Sequence, residues 1–273
     1  ILEVAGSSRL SCNIHFALDP RSFDLMAKDE PQDSSSENPA TPLLLGLLQP
    51  LILVALGWIL WQWITWPNVK DLVDENPETT AFIELYLDGG SRSENRTVDW
   101  RWVPYNEISS NLKRAVVVAE DARFFTHHGF ATDEIKAAIA DAIERGETPR
   151  GASTLTQQLA KNLWLSPTRN PLRKLSEAAL TIHLEERVSK QRLLEIYLNV
   201  VEFGIGIYGA EAAAQHYFDK PASQLSAREA SLLAASLPRS KSWHPGVDDD
   251  RYLSRARRIQ TWTSEADYLN RHL

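Results

Sequence analysis

Asn111-Leu112-Lys113-Arg114-Ala115-Val116-Val117-Val118-Ala119-Glu120-Asp121-Ala122-Arg123-Phe124-Phe125-Thr126-His127-His128-Gly129 is an apolar run that ends on two carboxylates and a pair of histidines. The run from Asn111 to Glu120 predicts a buried helix. A carboxylate at the end of such a helix is partly desolvated, which raises its pKa and suits it to accept a proton near neutral pH. The plainer reading is an exposed acid just past a buried helix, and for an isolated Glu-Asp pair that reading would prevail. His127 and His128 invite a metal site. Adjacent histidines seldom point at one ion, however, and no Cys or His partner stands at metal spacing. His127 is expected instead to donate a structural hydrogen bond that holds the Glu120 turn.

Two further signatures follow. Gly151-Ala152-Ser153-Thr154-Leu155-Thr156-Gln157-Gln158 offers neutral donors and acceptors at Ser153, Thr154, Thr156, Gln157 and Gln158, a set that suits sugar hydroxyls and acetamido groups. Its bland alternative is helix capping, and Thr154 with Gln157 forms a capping box in either case. Gln157 and Lys161 are four apart and share a helix face, so an amide and a cation could be presented together. Arg173-Lys174-Leu175-Ser176-Glu177 reads either as an intrahelical ion pair of about 0.2–0.5 kcal/mol or as a cation set for a pyrophosphate, with Glu177 positioning it. From Lys161 to Lys174 there are Lys161, Arg169, Arg173 and Lys174 and no acid.

The surrounding chain reads as helix. Thr132 or Asp133 can open a helix running to Arg145, with Gly146 after it. Pro171 suits the first turn of a helix that includes Arg173 to Arg187. Ser189 to Asn199 and the alanine-rich Gly209 to Tyr217 are helical, and Ser226 with Glu229 makes a second capping box before Pro238 ends that helix. Ala81 to Leu87 fits a short strand or an early helix. Leu163 to Leu172, with two prolines, is expected to leave the helical path as a surface loop or as an apolar lip with Trp164 at a membrane interface.

Net charge is -7, which argues against a general nucleic-acid binder. The single cysteine, Cys12, rules out an internal disulfide framework. Residues 43–66 form a stretch of 24 residues without a charged side chain, against about 20 needed to span a hydrocarbon core. Four tryptophans, Trp58, Trp61, Trp63 and Trp66, crowd its end, where amphipathic rings favour the headgroup level. Arg9, Arg21 and Lys28 before it, against Lys70 after it, lean to an inside N-terminus. The organisation expected is a disordered leader at 1–42, with translation starting at Met26, a transmembrane helix at 43–66, a stalk and lead-in segment at 67–100, a catalytic domain at 101–245 and a helical tail at 246–273.

Taken in order, these signatures resemble the family 51 glycosyltransferases, the peptidoglycan polymerases, and most of all their monofunctional membrane-bound type. The likeness covers roughly Arg101 to Pro245. It rests on Glu120-Asp121 with Phe124, His127 and Gly129, on Gly151 to Gln158 continuing to Lys161-Asn162, and on Arg173-Lys174 with Glu177. Lys190, Leu193, Leu194, Glu195, Tyr197, Leu198 and Asn199 make a fourth motif, and Gly209, Ala213, Ala214, Tyr217, Phe218 and Lys220 a fifth. The segment Pro238 to Pro245 departs from the tyrosine-asparagine-proline ending expected there.

The resemblance implies a mainly α, lysozyme-like domain with a smaller membrane-associated lobe. It implies lipid II and the growing glycan strand as partners, alongside membrane lipid and other cell-wall synthesis proteins, at a bacterial inner membrane with the catalytic domain outside. Glu120 would be the general base and Glu177 the second essential glutamate. Ser153, Thr154, Gln157, Gln158, Lys161, Asn162, Arg169, Arg173 and Lys174 would bind substrate. A divalent cation such as Mg would help neutralise a leaving pyrophosphate, though the sequence names no ligands for one. The rival readings are a lysozyme-like hydrolase or lytic transglycosylase, which needs no pyrophosphate cations, and an inactive membrane scaffold, which intact Glu120, Gln157, Lys161 and Glu177 argue against.

Overall fold

The computed structural model describes residues 49–50, 52–54, 56–57, 60, 66–89, 96–131, 153–168 and 171–273. The chain divides into two units, residues 1–65 and residues 66–273. In the first, the described residues are helical and exposed. Among the described residues no helix is long and apolar enough to cross a membrane, and much of 43–66 lies outside them. So do Arg169 and the helix read from Thr132 or Asp133 to Arg145.

The second unit is mainly helical. Among the described residues its helices are α1 (Ala81–Asp88), α2 (Ser110–Glu120), α3 (Leu155–Trp164), α4 (Pro171–Arg187), α5 (Lys190–Val200), α6 (Ala210–Phe218), α7 (Ala227–Ser236) and α8 (Asp250–Glu265). Their starts follow local chemistry. Ser109, Ser189 and Asp249 each accept a hydrogen bond from a backbone N–H of the first turn, which satisfies a donor that the helix leaves free. Thr154 with Gln157 and Ser226 with Glu229 form full capping boxes. Thr80 accepts from the Ile83 N–H, so the ambiguous segment after it is the helix α1.

The core joins these helices through small side chains. Ala115 on α2, Ala210, Ala212, Ala213 and Ala214 on α6, and Ala230, Ala234 and Ala235 on α7 are all fully buried, so backbones approach closely. Helix α7 packs on both α2 and α8, and α2 also meets α8. Helix α3 packs on α1, α4 and α5. The unit runs from Trp66 to Leu273, so both the stalk and the C-terminal helical segment belong to the same compact body as the expected domain.

Among the described residues three short strands, β1 (Asp99–Trp100), β2 (Glu202–Gly204) and β3 (Ile207–Tyr208), form one sheet in the order β1-β3-β2. The β1/β3 pair is parallel and the β2/β3 pair antiparallel. Asn199 at the end of α5 fixes this sheet to the helices. Its amide accepts from the Val103 N–H and donates to the Val103 carbonyl, both at 2.9 Å. Its own carbonyl accepts from the Trp100 indole at 2.6 Å. Gly209 then enters α6 at φ 84°, ψ 160°, a region open essentially to glycine alone. A Cβ there would stand 2.6 Å from the Asn199 carbonyl oxygen. Gly209→Ala should therefore destabilise the protein by about 1–3 kcal/mol. Chemical denaturation followed by circular dichroism measures this, and an unchanged midpoint would refute the account.

Candidate active site

Glu120 is the last residue of α2, and its side chain is 12% exposed. One carboxylate oxygen accepts from Gln158 Nε2 at 3.0 Å. The other pairs with Arg255 Nη2 at 2.9 Å. Gln158 Oε1 in turn accepts from the Tyr197 hydroxyl at 3.0 Å. Helices α2, α3, α5 and α8 thus each send one side chain to this point. Burial raises the Glu120 pKa, while the Gln158 hydrogen bond and the Arg255 charge pull it down. Burial also holds the Tyr197 hydroxyl well above its ordinary pKa, so it stays a donor.

The next residue sets the frame. Asp121 is buried. It accepts from the Leu155 N–H at 3.0 Å and from His127 Nε2 at 2.9 and 3.0 Å. A carboxylate at a helix start meets free N–H groups and a favourable dipole. The same contact ties the end of α2 to the start of α3, which sets Gln158 beside Glu120. His127 is thus the structural donor expected at this turn. Thr154 reinforces it by donating to the Gly129 carbonyl at 2.7 Å.

The polar strip is divided by helix geometry. Gln157 is buried, and its amide oxygen accepts from the Thr154 N–H at 3.0 Å, closing the capping box. Gln158, not Gln157, is the amide that meets Glu120. Thr156 donates to Glu185, which also pairs with Lys190 at 2.8 Å. Lys190 lies 4.4 Å from the centre of the Phe124 ring. Ser153 is exposed and Asn162 buried.

Glu177 is only 3% exposed. Arg173 Nη1 reaches it at 2.8 Å, and Lys174 Nζ bonds its other oxygen. Arg173 Nε also donates to the Thr168 carbonyl at 2.7 Å. The intrahelical ion pair of the plain reading is present, but its carboxylate is buried and holds both cations. Burial lowers the Lys161 pKa. Of the charges acting on it, Glu177 is the strongest, followed by Arg173, Lys174 and Glu120. Lys161 is therefore coupled to both glutamates.

Among the described residues no group of three or more His, Cys, Asp or Glu could hold a metal ion, and Glu177 is already engaged by two cations. Arg173 and Lys174 bring two positive charges to Glu177. The contact that sequence reading missed is Arg255. It lies 135 residues from Glu120, on a helix whose arginine-rich face was its only visible signal.

A family model described as transglycosylase matches residues 90–263, and the chain belongs to that family. The match includes α8 as far as Thr263, and so Arg255. Proteins named biosynthetic peptidoglycan transglycosylase are among its relatives. That of Azoarcus sp. (strain BH72) is 46% identical over 186 residues, covering 68% of this chain and 80% of the relative. That of Ralstonia nicotianae is 49% identical over 179 residues, covering 65% and 75%. That of Methylobacillus flagellatus is 42% identical over 218 residues, covering 79% and 93%.

The geometry predicts a titration. The Arg255 guanidinium favours the charged form of Glu120, so Arg255→Met should move the Glu120 pKa further up. Carbon-13 NMR of labelled glutamate carboxyls, with Glu120→Gln to assign the resonance, measures this. A fixed or lowered titration point would mean that the pair does not tune the carboxylate.

Proposed function

We propose that the protein is a peptidoglycan glycosyltransferase that polymerises lipid II into β-1,4 glycan strands. The observation that carries this reading is the desolvated Glu120 carboxylate, held by Gln158 and Arg255, together with the buried Glu177 carboxylate that holds Arg173 and Lys174. The names of the relatives support it.

In this mechanism Glu120 takes the proton of the 4-hydroxyl of the acceptor's N-acetylglucosamine. The hydroxyl oxygen forms a bond to C1 of the donor's N-acetylmuramic acid. The bond from C1 to the pyrophosphate oxygen breaks, and undecaprenyl pyrophosphate leaves with the bonding pair. A single displacement inverts the anomeric centre from α to β. Lys161, Arg173 and Lys174 receive the negative charge of the leaving group, and Glu177 orients them. Preorganised charge of this kind is usually the largest single catalytic term.

Glu120→Gln should keep the fold and lower the lipid II polymerisation rate by about 10²–10⁴-fold. Glu177→Gln should lower it by at least about 10²-fold. Both rates are read in detergent with labelled lipid II. Near-wild-type polymerisation by either variant removes that glutamate from the mechanism, and release of muropeptides from purified cell walls without polymer formation would make the protein a hydrolase.

The placement that fits this chemistry is the outer face of a bacterial inner membrane. In this reading residues 43–66 are the anchor. Leu85 and Leu87 on α1, with Leu172, Leu175 and Ile182 on α4, are exposed apolar side chains that would form the membrane-associated lobe. Deleting residues 1–65 should leave the second unit folded by circular dichroism and release it from membranes. Loss of the helical signal would make the deleted stretch part of the core.

A further inference from the structure

We propose that a cleft walled by arginines, joined to Glu120 through Arg255, binds the carboxylate-bearing peptide of the acceptor substrate. This rests on the glycosyltransferase reading above. The cleft has a volume of about 930 Å³ and is lined by Arg239, Arg251, Arg255, Arg257 and Arg258, with Trp243 and one acid, Asp250. Clefts that hold small ligands commonly span about 300–1,000 Å³.

Among the described residues only Arg255 of these five forms an ion pair, and its partner is Glu120. Arg251, Arg255 and Arg258 recur at i, i+4 and i+7, so they lie along one side of α8, and like charges at that spacing repel. Arg239 is held 5.1 Å from the centre of the Trp243 ring. A scatter of solvated arginines would need neither a concave wall nor a guanidinium shared with the carboxylate. A cleft lined by one sign of charge focuses its field and concentrates the opposite ion.

The choice of occupant follows from the reaction. Glu120 meets the acceptor's hydroxyl, so whatever reaches Arg255 belongs to the acceptor. That molecule, lipid II, is a disaccharide-pentapeptide on an undecaprenyl pyrophosphate, so it has two kinds of anion, the pyrophosphate that bears the lipid and the carboxylates of its peptide. The lipid needs apolar surface. Exposed leucines and Ile182 stand on α1 and α4, which pack on α3, whereas the cleft is built on α8, which packs on α2 and α7. None of those exposed apolar residues lines the cleft. The branch that fits it is therefore the peptide, whose carboxylates match the bidentate arginine fork.

The test uses the full chain in detergent micelles and titration calorimetry. The probes are a soluble disaccharide-pentapeptide, the same disaccharide without peptide, and inorganic pyrophosphate. The proteins are wild type, Arg251→Gln, Arg258→Gln and the double variant. Melting temperatures check that each is folded, and the single variants carry the test if the double variant is not.

Wild type should bind the peptide-bearing fragment at least tenfold more tightly than the bare disaccharide, and the variants should lose that preference. Equal affinity of wild type and variants for the peptide-bearing fragment overturns the proposal. So does a loss of pyrophosphate binding in Arg251→Gln or Arg258→Gln, which would make the cleft a phosphate site, or no saturable binding of the fragment. Lipid II polymerisation by wild type, measured in parallel, separates the two readings: if it fails, the glycosyltransferase reading fails; if it succeeds while fragment binding is unmoved, only the peptide site is lost.

Discussion

The Asp121 carboxylate is the point on which the rest of the site depends. It is buried at the junction of α2 and α3, where the Leu155 N–H and His127 both donate to it. A hydrogen bond to a charged group contributes about 1.5–3 kcal/mol, and leaving such a group buried without its partner costs more than that gain. The junction is thus strongly specified. It fixes the end of one helix against the start of the other, so Glu120 and Gln158 meet although neither is held by the local sequence around it. The Thr154 cap and its bond to the Gly129 carbonyl brace the same turn from the other side.

Given that frame, the hydrogen-bond network determines how Glu120 is held. Tyr197 can only donate to Gln158 while its hydroxyl is protonated, and burial keeps it so. The amide oxygen of Gln158 must therefore face Tyr197, and its NH₂ must face Glu120. A flipped amide would set oxygen against carboxylate and donor against donor. Arg255 supplies the second contact from α8. Burial and these two donors act on the carboxylate in opposite senses, with burial the larger. A carboxylate raised in pKa yet held in one orientation is what proton abstraction requires.

Much of this was legible in the sequence, for a physical reason. Capping boxes at Thr154–Gln157 and Ser226–Glu229 and the donor role of His127 depend on residues a few positions apart, whose geometry the helix itself sets. What was hidden depends on how helices dock. Gln157 and Gln158 are alike in the sequence, and only the rotation of α3 against α2 decides which one faces Glu120. The Arg173–Glu177 spacing gives the ion pair but not its burial, which comes from packing around α4. Arg255 lies on a helix that the expected domain at 101–245 left outside. Its partner cannot be read locally, because the contact depends on how α2, α7 and α8 pack on one another. The segment Ala81 to Leu87 was ambiguous because a short apolar run fits either period, and the Thr80 cap decides it.

The cation cluster is held under electrostatic tension, and that tension has a direction. Lys161 is partly buried and is disfavoured as a charge by that burial and by Arg173 and Lys174, while Glu177 and Glu120 favour it. Glu177 offsets two cations with one carboxylate, so the group remains short of negative charge. In the proposed reaction the bond to the pyrophosphate breaks next to it, and negative charge grows on the leaving oxygen. The cluster then gains its missing counter-charge as the transition state is reached. An interaction that strengthens along the reaction accelerates it, whereas one equally strong in the bound substrate does not. Burial of Glu177 matters for the same reason: a fixed carboxylate keeps Arg173 and Lys174 in place, so the cations need not reorganise when the charge appears.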